Sequence, residues 1–182
     1  MKILVNAAYR LVQLMNFLGA AAAIVMTAMV FTGAVMRYFF GAPLRFSDEM
    51  VGLLFISMAF LAIPLGVFRN RHITIDILSR NIPRPWAHLV NAVALLILML
   101  FSAAFIMTSY QFMDFSREIT ARSDIGSLLL WPWMAIMPFC MSVAFLVAVL
   151  QFLDSFRVLA GKESFFPGED EAASDDTEEG SL

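Results

Sequence analysis

The residues best able to do chemistry in this sequence flank a single apolar run. Arg37-Tyr38 precede it, Asp48-Glu49 open it, and Arg69, Arg71, His72 and Asp76 close it. Between the acids and the bases lies Met50–Phe68, 19 residues without a charge. Groups placed this way can do several things. Acids in a first helical turn complement the helix dipole. Asp48 or Glu49 can pair with Arg37 or Arg45 and tie a hairpin, or meet a partner protein. If their segment is helical, His72, Asp76 and Arg80 recur at i, i+4 and i+8 and can form a charged ladder. Arg69, Arg71 and His72 can equally touch anionic phospholipid and set topology. Arg37 and Tyr38 can serve simply as a snorkelling base and a belt aromatic.

Other chemistry is excluded by what the chain lacks. The two histidines, His72 and His88, fall in one loop, so a membrane haem has no pair of axial ligands. The lone Cys140 rules out an internal disulfide and any multi-cysteine metal site, and reads as a small apolar filler. A glycine-rich phosphate loop is missing. We therefore expect no catalytic, substrate-binding or metal-binding residues, no cofactor, no enzymatic activity and no nucleic-acid partner.

The elements that must position these residues are membrane helices. The chain is 60% hydrophobic and 15% charged, with a mean hydropathy of +0.79. A soluble domain of 182 residues could not hide that much apolar surface. At 1.5 Å per residue, Met50–Phe68 makes a helix roughly 28 Å long, about the thickness of a bilayer's hydrocarbon core. Three more uncharged runs stand at 14–36, 89–110 and 128–152. The first is longer than a signal-peptide core, and it continues well past Ala20–Ala23, so it reads as an uncleaved span. Gly19–Ala23 offers a flat face for close helix packing. Ser47 is placed to cap the second helix, and Pro64 with Gly66 to kink it. Phe112, Phe115 and Ile119 can share one face of a short interfacial helix within the 112–124 connector. Trp131 and Trp133 read as interfacial anchors.

The fold predicted is an all-α integral membrane protein with four transmembrane helices. The membrane domain covers residues 1–166, with spans at 14–36, 50–68, 89–110 and 128–152. Residues 167–182 form an acidic tail, expected to be disordered. Seven of the 15 acids lie in 169–179, so residues 1–168 carry 12 bases against eight acids. The first segment, the 69–88 loop and the region after the last span hold eight bases, whereas the opposite loops hold four. The positive-inside rule then places both termini in the cytoplasm. No span has a charged residue at its centre, which speaks against an ion pathway through this chain.

Three pieces in order resemble a known family. They are Arg37-Tyr38 after the first span, Phe46-Ser47-Asp48-Glu49 before the second, and Arg69-x-x-His72-Ile73-x-Ile75-Asp76 after it. Together they are similar to the small membrane subunit, DctQ-like, of tripartite ATP-independent periplasmic (TRAP) transporters, over residues 10–155. Phe46 stands where that family often has Trp, and Asp48 where it has the first of two glutamates. The resemblance implies a multi-pass protein of the bacterial inner membrane and two protein partners, a large multi-span membrane subunit and a periplasmic solute-binding protein. It further implies sodium-coupled import of an organic acid of the carboxylate or sialic acid class. The large subunit would carry solute and sodium, and this chain would widen its static scaffold. Arg37, Tyr38, Asp48, Glu49, Arg69, His72 and Asp76 are then candidates for subunit-interface or structural contacts. Two other readings remain open: an anchor or assembly subunit of an unrelated inner-membrane complex, and a stand-alone small transporter.

Overall fold

A computed structural model describes residues 2–42, 44, 46–69 and 84–159. Within them the chain forms four helices: α1 (Lys2–Phe39), α2 (Ser47–Arg69), α3 (Arg84–Glu118) and α4 (Trp131–Leu159). Each contains a stretch long and apolar enough to cross a membrane. Of the predicted basic loop 69–88, Arg69 belongs to α2 and residues 84–88 to α3, while residues 70–83, like the acidic tail, lie outside the described residues.

The helices outrun the predicted spans at several ends, for physical reasons. Residues 2–13, expected only as a short basic lead-in, belong to α1. Val5, Ala8, Val12 and Met15 recur every three or four residues and are buried, so the packed stripe continues past the uncharged run. Arg10 and Arg37 are 27 positions apart. That spacing is roughly 40 Å of helix, about the bilayer with its headgroup layers. Likewise, Phe112 and Phe115 sit on the last turns of α3 rather than on a separate interfacial helix, and Ile119 follows directly after it. The polar residues there did not interrupt the helix, because nothing in 111–118 is a Gly or Pro breaker. All three side chains are exposed, as an interfacial role requires. Ser47 is the first residue of α2, so the cap position falls to Phe46, whose carbonyl accepts the Met50 N–H at 3.1 Å. Helix α2 runs unbroken through Pro64, and α4 through Pro138.

Packing follows the order α1–α2–α4–α3. The α1–α2 and α3–α4 hairpins are each closely packed, and α2 joins α4 between them. Burial fits this order: 44% of the apolar window is buried in α4, against 11% in α1 and in α3. Two glycines fix the α1–α2 register. A Cβ on Gly19 would lie 3.3 Å from Leu61 Cβ, and one on Gly33 would lie 3.0 Å from Ser47 Oγ. The small face expected at Gly19–Ala23 is thus used at Gly19 inside the subunit.

The connected apolar core draws on three of the helices. It joins Val5, Val12 and Met15 of α1 to Phe68 of α2 and to Cys140, Val143 and Val147 of α4. Val5, Val12 and Phe68 mark the end of the bundle where α1 begins and α2 and α4 finish, hereafter the near end, while Cys140, Val143 and Val147 carry the cluster into the middle of α4. At the near end Tyr9 stacks on Phe68, ring centroids 5.4 Å apart, and its hydroxyl accepts a hydrogen bond from Gln13 Nε2. The far end carries the α1–α2 turn and the α3–α4 loop.

Candidate functional site

The two ends of α2 hold most of the polar residues singled out by sequence. At the far end, Glu49 sits in the first turn of α2, where its carboxylate meets the α3–α4 loop. Its Oε1 accepts the Ile125 N–H at 2.9 Å, and its Oε2 accepts the Gly126 N–H at 2.7 Å and the Ser123 hydroxyl. Three of the roughly four acceptor positions of a carboxylate are therefore filled from within the chain. The loop is built to meet it. Ser123 N–H donates to Leu128 O, and Leu130 N–H to Ala121 O, closing a small hairpin over the Arg122–Leu129 bridge. Ser123 Oγ also accepts the Leu128 N–H at 3.3 Å. Thr120 and Ser127 take positive φ of 46° and 51° to make the reversals. Gly126 fits a tight place: an added Cβ would lie 3.0 Å from both Glu49 Oε2 and Phe46 Cβ.

Among the described residues the partners of Glu49 are these loop groups rather than Arg37, one of the two bases it was expected to be able to meet. Glu49 joins the two hairpins to each other, because the loop amides supply donors with no long side chain to order. Its neighbour Asp48 is exposed and makes no contact of this kind among the described residues. Arg37 is exposed and lies over the Tyr38 ring, 5.9 Å from its centroid, and Tyr38 is itself 79% exposed. Arg45 lies outside the described residues. Across the same end, Arg117 lies 5.8 Å from the Trp131 ring centroid. Trp131 and Trp133 are half-buried.

At the near end Arg69 closes α2 and is exposed. His72 and Asp76, with the proposed ladder to Arg80, lie outside the described residues. The polar residues that the structure does place there were not singled out by sequence. Gln151 of α4, 2% exposed, donates its Nε2 to the carbonyls of Val67 and Phe68 at 3.0 and 3.2 Å. It thereby satisfies two of the last carbonyls of α2, which have no partner within the helix. Ser155 Oγ donates to Gln151 O, and Asp154 is buried beside them. A lone Gln three residues before an Asp, on an otherwise apolar helix, was the signal for this cluster. Cys140 is fully buried in the apolar core, where it acts as filler. Among the described residues no three of His, Cys, Asp and Glu group closely enough to hold a metal ion.

Four long apolar helices, with polar residues spent on joining one helix to another, define a multi-pass membrane subunit. Comparison with known proteins gives the particular family. The family model for the DctQ component of tripartite ATP-independent periplasmic transporters matches residues 26–158, and the chain belongs to that family. It is a small permease component of a bacterial TRAP transporter, and the family is one of transporters, not enzymes. Two proteins of Haemophilus influenzae, each provisionally named TRAP transporter small permease protein, are similar to it. One is 33% identical over 92 residues, covering 49% of this chain and 56% of the relative. The other is 33% identical over 58 residues, covering 32% and 36%. The chain thus spans about half or less of the length of these relatives.

Proposed function

We propose that this chain is the scaffold-forming small subunit of a sodium-coupled importer of an organic acid, of the carboxylate or sialic acid class, in the bacterial inner membrane. It binds a large multi-span subunit laterally, and a periplasmic solute-binding protein delivers solute to that pair. Both termini face the cytoplasm, so the near end of the bundle is cytoplasmic and the Glu49 loop periplasmic. Residues 1–166 form the membrane domain, and the acidic tail 167–182 is a separate, dispensable extension. The observation that carries this reading is the family match together with where charge is placed. No Asp, Glu, His, Lys or Arg occupies the runs 14–36, 50–68, 89–110 and 128–152, so the chain offers no ion pathway of its own.

The large exposed surfaces of α1 and α3 support lateral association. Phe17, Ile24 and Phe31 on α1, and Ile97, Leu100 and Met107 on α3, are all more than half exposed. Apolar contact gains nothing over lipid, so association rests on close packing and on polar contacts near the interfaces. Arg37, Tyr38, Asp48, Arg69, His72 and Asp76 supply the latter. Reconstituted vesicles test the reading. Substitutions at these positions should lower uptake in step with the amount of complex and leave apparent affinity for solute and sodium unchanged. A shift in either affinity with the complex intact would give this subunit a part in binding. Reporter fusions in the 69–88 loop should read cytoplasm and a fusion near Ser116 periplasm; the reverse pattern would overturn the orientation.

A further inference from the structure

We propose that Glu49 is a latch that holds the two helical hairpins together at the far end, with the apolar core that runs from the near end to mid-bundle as the hinge about which they part when the latch is lost. Three observations converge on this. First, the buried apolar cluster runs from the near end, at residues 5–15 of α1 and Phe68, into the middle of the bundle, at residues 140–147 of α4. Second, the hairpins meet mainly where α2 packs on α4, while α1 and α3 flank that pair on opposite sides. Third, at the far end a single carboxylate of α2 gathers the Ser123 hydroxyl and the Ile125 and Gly126 amides of the other hairpin. Glu49 and Phe68 are 19 positions apart on one helix, roughly 28 Å. The two joins are therefore separate.

The latch is charge-specific. A carboxylate accepts from all three donors at once, whereas an amide at the same position offers one acceptor oxygen and turns an NH2 group toward donors. It is also shape-sensitive, because a Cβ on Gly126 would lie 3.0 Å from Glu49 Oε2 and crowd it. With the latch closed, the exposed loop residues Asp124 and Ile125 hold a fixed place relative to the α1–α2 turn. With it open, the loop and the turn separate while the near end stays packed.

The test uses the full chain in lipid nanodiscs, with spin labels at Ala42→Cys and Ile119→Cys, two exposed positions on the two hairpins. Cys140 is fully buried and stays unlabelled. The unaltered latch should give one narrow distance distribution. Glu49→Gln and Gly126→Ala should each broaden it toward longer distances, and amide exchange at Ile125 and Gly126 should speed up about tenfold or more. Val147→Ala, in the apolar core, should lower thermal stability and leave the far-end distances alone, which separates a latch from general loosening. If Glu49→Gln fails to accumulate, Ser123→Ala removes one of the three donors and should broaden the distribution to a smaller degree. Unchanged distances and unchanged amide protection in Glu49→Gln and Gly126→Ala, or in Ser123→Ala where that variant stands in, would overturn the proposal.

Discussion

The two ends of α2 are joined to the second hairpin by opposite means. At the near end a fully buried side chain of α4, Gln151, reaches across to the last carbonyls of α2, and an apolar core surrounds it. At the far end the donor and acceptor are exchanged. Here α2 supplies the carboxylate and the other hairpin supplies the N–H groups. Both arrangements satisfy backbone groups that no helix pairs, the last carbonyls of α2 at one end and loop amides at the other. They differ in what surrounds the contact. The near join is dry and locked by packing, while the far join rests on hydrogen bonds to a loop. A helix bundle can therefore be firm at one end and adjustable at the other without any difference in helix content.

That contrast is broken most severely in the core. Met15 is fully buried between α1 and its neighbours. Met15→Ala should cost about 2–3 kcal/mol, the lower part of the range for such truncations, because lipid is as apolar as the core and only the packing loss remains. Denaturation of the purified protein in detergent would show it. A loss near zero would mean the near end is not the firm end.

Gln151→Leu comes next. It leaves the Val67 and Phe68 carbonyls without their donor in a buried place, which should cost about 1–3 kcal/mol. Amide exchange in the last turn of α2 should rise, and that of Ile125 and Gly126 should not. Combining Gln151→Leu with Glu49→Gln sharpens the comparison. The sites share no partner and lie far apart, so their effects on stability should add. A strong departure from additivity would join the two ends into one unit and contradict a latch that acts separately from the hinge.

How much of this was legible in the sequence depends on the kind of signal. The four spans were readable because uncharged runs of this length have few other solutions in a chain this apolar. The family was readable because Arg37-Tyr38, Asp48-Glu49 and the Arg69 segment occur in a fixed order. The buried Cys140 was also readable, since small thiols pack as apolar fillers. The lengths of α1 and α3 were not, because charged residues such as Arg10, Asp114 and Arg117 end an apolar run without ending a helix. Nor was the partner of Glu49, because its donors are two backbone amides and one serine some 75 positions away in sequence. Backbone N–H groups carry no residue identity, so no pattern of side chains announces them. Gln151 could have been found: an uncharged amide on a helix of otherwise apolar residues needs a partner when buried.

The smallest expected effect is the most discriminating, because it separates two adjacent acids of the same type. Asp48 and Glu49 share a first helical turn and the same helix dipole. If the dipole were the reason for both, Asp48→Asn and Glu49→Gln would act alike. The geometry says otherwise. Glu49 has three donors from the far loop, whereas Asp48 is exposed and has none among the described residues. Asp48→Asn should therefore leave stability, the loop amides and the hairpin distances unchanged within error, as exposed charge changes usually do. Its effect, if the subunit packs beside a larger one at this face, should be confined to the amount of complex recovered with that partner. Glu49→Gln should show the reverse order, with the loop disturbed in the isolated chain before any partner is added. Measuring amide exchange at Ile125 in both variants, first alone and then in complex, decides between them. Equal loss of protection in the two would mean that the acids act together through the helix end, and the latch would reduce to a dipole effect.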